Sequence, residues 1–133
     1  MTSYLLDTDI CILFLRGKYG IGDKIMQIRA SNCYVSDITL AELHYGAFKS
    51  SNFERHKHDA NEIASFATVL SISDSLQLYG KERARLEAIG RPIHDFDLLI
   101  ATTALHHGMT LVSNNTKHHA RVADLQLANW VTS

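Results

Sequence analysis

The chain has 133 residues, 46% of them apolar and 20% charged, with a formal net charge of −1. That length fits one domain able to bury roughly two-thirds of its unfolded surface, so folding needs neither disulfides nor a structural metal. The near-neutral balance excludes a broadly basic nucleic-acid coat, and any polyanion must meet a local basic patch or a metal ion.

Near the N-terminus, Tyr4-Leu5-Leu6 is a short apolar run that ends at Asp7 and hands over to Ile10-Cys11-Ile12-Leu13-Phe14-Leu15. No basic, cleavable leader precedes it and no apolar run approaches about 20 residues, so neither a signal peptide nor a spanning helix is expected. Cys33-Tyr34-Val35 ends at Ser36 and leads into Leu40-Ala41-Glu42-Leu43. Around residues 53–68, Ala60, Ile63, Ala64 and Ala67 follow helical spacing. A further helix starts near Asp74, with Gln77 placed for a capping box. From Asp95 to His107, Phe96, Leu99, Ile100, Thr103 and Ala104 share one face, while Leu98, Ala101 and Leu105 make the other face apolar. This helix is therefore expected to be central, with Gly108 as its C-cap. Thr110-Leu111-Val112 then ends at Ser113-Asn114-Asn115. Apolar runs alternating with helices predict an α/β fold, a parallel sheet with right-handed crossovers in a single domain over residues 1–133. Cys11 and Cys33 lack a CxxC spacing and read as buried free thiols in a cytoplasmic protein with no membrane partner.

In parallel sheets ligands bind at the carboxyl ends of the strands. Asp7, Glu42 and Asp97 would meet there. Each also has a purely structural explanation. Asp7 or Asp9 can cap the first helix. Glu42 stands three residues after Thr39, the spacing of a capping box, and Asp97 lies in a first helical turn, where the dipole favours a carboxylate. Jointly, converging acids repel unless a hard divalent cation such as Mg²⁺ binds them, and such a centre can orient water against a phosphodiester.

At these residues the chain resembles the PIN-domain ribonucleases. The resemblance lies in Leu6-Asp7-Thr8-Asp9, in Thr39-Leu40-Ala41-Glu42-Leu43 within the Ser36 to Gly46 stretch, and in Gly90-Arg91-Pro92-Ile93 running on to Asp97-Leu98-Leu99-Ile100-Ala101. The tail, from Leu111-Val112-Ser113-Asn114-Asn115 through Arg121-Val122 to Asn129-Trp130, is similar to the VapC toxins of bacterial toxin–antitoxin pairs. The resemblance implies a three-layer α/β/α fold and cleavage of RNA, often a specific tRNA, with Mg²⁺ or Mn²⁺. It also implies a homodimer held inactive by a small cognate antitoxin. Asp7 and Asp97 then match the metal-ligand acids, and Glu42 the acid acting on the metal-bound water or as a further ligand. Thr8, Asp9, Ser36, Asp95 and Asn115 are accessory candidates. The family often carries another acid after the fourth strand, but residues 114–119 read Asn-Asn-Thr-Lys-His-His, with Asn115 as the neutral substitute. His94-Asp95-Phe96 also departs from the frequent Gly and Pro, and Asp95 is read chiefly as a helix N-cap.

The eight histidines show no HExxH spacing and no nearby cysteine, so zinc is not expected. Lys117, His118, His119 and Arg121 are better placed for RNA phosphate. Two alternatives remain. Asp7-Thr8-Asp9 after an apolar strand mimics a haloacid-dehalogenase-type phosphatase, with Asp7 as nucleophile. A PIN-like fold can also serve as a catalytically impaired binding module.

Overall fold

In the computed structural model, residues 2–131 are described. Five strands among them form one parallel sheet in the order β3-β2-β1-β4-β5. These are β1 (Tyr4–Leu6), β2 (Cys33–Ser36), β3 (Thr68–Leu70), β4 (Thr110–Val112) and β5 (Gln126–Ala128). The expected strands are the three central ones, buried because neighbours cover both faces. The sequence pattern does not mark the two edge strands. Thr68 and Val69 of β3 and Gln126 of β5 are exposed, so neither strand carries a continuous apolar run.

Side-chain alternation sorts the core into two layers. Leu6, Val35 and Val112 pack with Ile10, Ile21, Ile25 and Ile63. On that face lie α1 (Thr8–Leu15), α2 (Ile21–Ile28) and α4 (Phe53–Phe66). Leu5 and Leu111, one residue out of phase, face Leu86, Leu98, Ile100 and Ala104. Those residues come from α5 (Leu76–Ala88) and α6 (Asp95–His106). The result is the expected three-layer α/β/α architecture. Between the layers' ends, α3 (Asp37–Lys49) follows β2 directly.

The central place expected for α6 is observed. Leu98, Ile100, Ala101, Thr102, Thr103 and Ala104 are all buried. The two threonine hydroxyls donate back to the Leu98 and Leu99 carbonyls at 2.8 Å, which satisfies them inside the core. Its end is closed by Gly108 at φ +65°, with Met109 N–H reaching Ala104 O at 2.9 Å, the backbone pattern for which glycine is favoured. Three local expectations fail. Ala64 on α4 is exposed. The helix expected from Asp74 begins at Leu76 after a tight turn, and the capping bond to Gln77 does not form. The Thr39–Glu42 capping box is absent too, because α3 starts earlier and is capped by Ser36.

Candidate active site

Strand register builds the centre of the site. Leu6 pairs with Val112, so the next residues, Asp7 and Ser113, emerge side by side at the carboxyl edge of the sheet. Asp7 turns the chain from strand to helix and caps α1, its Oδ1 accepting Thr8 N–H at 2.9 Å. Its Oδ2 accepts two further donors, Ser113 Oγ–H at 2.8 Å and His119 Nε2–H at 2.9 Å. Asp7 is 5% exposed, and Ser113 and His119 are fully buried.

Asp97 enters from the first turn of α6. Ligand atoms of Asp7, Asp97 and His119 all lie within 4.8 Å of one another. Burial first, and Asp7 second, push the Asp97 carboxyl above the usual carboxylate range, with nearby histidines opposing. Glu42 stands within α3 rather than at its start. Its Oε1 lies 2.7 Å from Thr8 Oγ1, which also sits 3.0 Å from Thr39 Oγ1. One hydroxyl proton serves Thr8, and the carboxylate is the stronger acceptor. Burial raises the Glu42 carboxyl; the Thr8 bond opposes this, and Asp7 and Asp97 add to it.

Among the accessory candidates, Thr8 thus bridges α1 to Glu42. Asp9 is adjacent: its Oδ2 accepts Asn114 N–H at 2.9 Å, and burial, then Asp7, raise it to about 6. Ser36 is buried and caps α3 through Ile38 N–H at 3.0 Å. Asn115 N–H donates to Ser113 Oγ at 2.9 Å, while its side chain makes no capping bond. Asp95 lies apart. Its Oδ1 accepts Tyr79 O–H at 2.9 Å and forms an ion pair with Arg83 Nη1 at 3.3 Å, and His94, not Asp95, caps α6.

The basic candidates divide. His119 is corrected: a fully buried imidazole bonded to Asp7 cannot meet a phosphate. Lys117 and His118 are exposed on the short helix α7 (Thr116–His119). Arg121 Nη1 donates to Pro92 O at 2.9 Å. Ser113 and His119 were the contributors to the centre that composition and spacing did not reveal as such. Ser113 had a signal, because polar residues close β1, β2 and β4 alike.

Two carboxylates converging in a half-buried edge, without a thiolate, suit a hard oxygen-loving cation. Beside Glu42 a cavity of about 230 Å³ runs along Ile12, Leu15, Arg16, Leu43 and Arg55. A larger one, about 730 Å³, lies away at Tyr19, Lys24 and Trp130 and contains none of these acids.

The PIN domain family model matches residues 4–125. A tRNA(fMet)-specific endonuclease VapC of Shigella flexneri is 34% identical over 131 residues, 98% of this chain and 99% of the relative. A ribonuclease VapC2 of Haemophilus influenzae is 36% identical over 133 residues, 98% of this chain and 100% of the relative. Among solved structures, VapBC2 from Rickettsia felis bound to a promoter DNA fragment superimposes with TM-score 0.88 at 32% identity, covering 97% of this chain and 99% of that one. DNA-bound VapBC from Salmonella typhimurium gives TM-score 0.89 at 30% identity, covering 98% and 99%.

Proposed function

The chain belongs to the PIN-domain family, and from that premise we propose that it is a metal-dependent endoribonuclease of the VapC toxin type. It cuts RNA and is silenced by a small cognate antitoxin, in line with VapC relatives and VapBC neighbours. The observation that carries the reading is the meeting of Asp7 and Asp97 at the end of the sheet.

Asp7 and Asp97 would hold Mg²⁺, for which Mn²⁺ could substitute. A bound divalent ion lowers the pKa of water and offsets charge developing on the phosphodiester. Glu42 takes the proton of the attacking water. Thr8 fixes its Oε1, and the raised proton affinity of this carboxyl moves it toward what a general base at neutral pH needs.

RNA phosphates are received by Lys117, His118 and Arg121. With Arg91, two of these line a cavity of about 290 Å³ on the outer side of α7. Among the described residues Arg91, Lys117 and Arg121 form no ion pair with a carboxylate. A specific tRNA is the finer substrate assignment, as for the Shigella flexneri relative. The reading carries with it a homodimer and a cytoplasmic setting, and no described helix is long and apolar enough to cross a membrane. The family match displaces the phosphatase alternative, and the retained acids speak against a module that only binds.

The test is cleavage of total tRNA by the purified protein. Discrete fragments that vanish with EDTA and in Asp97→Asn support the reading, and cutting that persists in both overturns it.

A further inference from the structure

A carboxylate offers about four lone-pair directions, and on Asp7 three are taken. Oδ1 accepts Thr8 N–H at 2.9 Å, and Oδ2 accepts Ser113 Oγ–H at 2.8 Å and His119 Nε2–H at 2.9 Å. Neither donor to Oδ2 turns away cheaply. Both side chains are fully buried, and Ser113 Oγ also accepts Asn115 N–H at 2.9 Å. One direction, on Oδ1, remains.

A carboxylate that bridges two ions needs two free lone pairs, and Asp7 has one. Glu42 and Asp97 would serve the same ion as Asp7, and no further carboxylate is free to take the place of Oδ2. Residues 114–119 contain none, and in Asp9 Oδ2 is engaged with Asn114 N–H at 2.9 Å while Oδ1 is buried away from solvent, without a partner among the described residues. Among the described residues, the one group of at least three convergent ligand atoms is that of Asp7, Asp97 and His119.

His119 invites a second interpretation, as a nitrogen ligand. As a ligand, its Nε2 would present a lone pair and Nδ1 would carry the proton. Ligating histidines regularly donate that proton to a carboxylate or carbonyl. Here Nδ1 is buried without a partner among the described residues. A buried N–H left unpaired costs more than an unpaired acceptor. The arrangement in which Nε2–H donates to Asp7 avoids that cost.

Resting on the nuclease reading of Asp7 and Asp97, we infer that the site takes a single divalent ion. His119 is a positioning residue whose N–H stands where a second cation would otherwise neutralise Asp7. The imidazole and Ser113 fix the carboxylate and leave a free lone pair on Oδ1 alone, where an ion would bind.

Titration of the metal-free protein with Mn²⁺, followed by the spin-resonance signal of the free ion, counts the sites. Echo modulation of the bound ion reports any directly coordinated ¹⁴N. The expected result is one Mn²⁺ per chain and no coordinated ¹⁴N. His119→Gln, whose amide still donates, keeps one ion, and His119→Asp, which supplies a carboxylate, takes two. Two ions on the wild-type chain overturn the inference, as does ¹⁴N modulation that His119→Gln abolishes. A folded His119→Asp that still takes one ion refutes the role of His119. Should His119→Asp fail to fold, the wild-type count and His119→Gln decide. Failure to bind any Mn²⁺ overturns the nuclease reading as well, whereas a wrong count with RNA cleavage intact refutes the single-ion inference alone.

Discussion

His119 Nε2 donates to Asp7 Oδ2 at 2.9 Å, joining the end of the first strand to the last helix across 112 residues of chain. Together with Ser113 and Thr8 N–H, this makes Asp7 a structural anchor as well as a candidate metal ligand. Asp97 accepts no such set of donors among the described residues, so the two acids answer differently to the same substitution.

Asp7→Asn turns an amide toward a hydroxyl and a ring N–H that both need an acceptor. It should lower stability by about 1–3 kcal/mol, the usual cost of leaving buried donors unpaired. Asp97→Asn relieves a carboxyl that burial and Asp7 disfavour, so its melting temperature in EDTA should equal or exceed that of wild type. Both variants should lose divalent-dependent RNA cleavage. Equal melting behaviour of the two in EDTA would contradict the anchoring role.

Glu42 lies within its helix and does not cap it. Glu42→Gln should therefore cost less than about 1 kcal/mol, since an interior helix position offers no cap to lose. Its cleavage rate should fall about 10²–10⁴-fold, the range for loss of a general base. Thr8→Val, which frees Oε1, should lower the rate less than Glu42→Gln does. Single-turnover rates beside melting curves separate these effects, and a Glu42→Gln enzyme that is merely less stable would return Glu42 to a structural role.

Asp9 carries a pH signature. Burial, then Asp7, raises its carboxyl to about 6, above the ordinary value of about 3.9 in an unfolded chain. A raised acid contributes stability that is complete below the unfolded value and is lost as pH rises through the folded one. Metal-free wild type should thus gain on Asp9→Asn by about 1 kcal/mol between pH 7.5 and pH 5, after discounting for partial exposure. Denaturant melts of both proteins at the two pH values measure it, and a gap that does not change with pH would contradict the raised carboxyl.

Lys117 and Arg91 face one basic cavity on the outer side of α7. If RNA phosphate sits there, Lys117→Ala and Arg91→Ala should each lower the slope of log binding constant against log salt by about 0.7, the single-strand value per contact. Mn²⁺ affinity should not move. Slopes identical to wild type would remove this patch from the RNA path.

Local patterning is enough to mark the three buried strands, the helix that runs through the core, and the places of Asp7 and Asp97 at strand and helix junctions. These follow from side-chain period and chain punctuation, which act over a few residues and can be read locally. Resemblance supplied the family and the pairing of Asp7 with Asp97. The edge strands β3 and β5 escaped because half-exposed pairing leaves no apolar run to read. Long-range packing alone closes Ser113 and His119 on Asp7, leans Glu42 on Thr8 and turns Asp95 away to Tyr79 and Arg83. The reason is geometric. A four-residue helix such as α7 has too little periodicity to declare which histidine faces inward, and the pairing of β4 with β1 on one side and β5 on the other makes that choice.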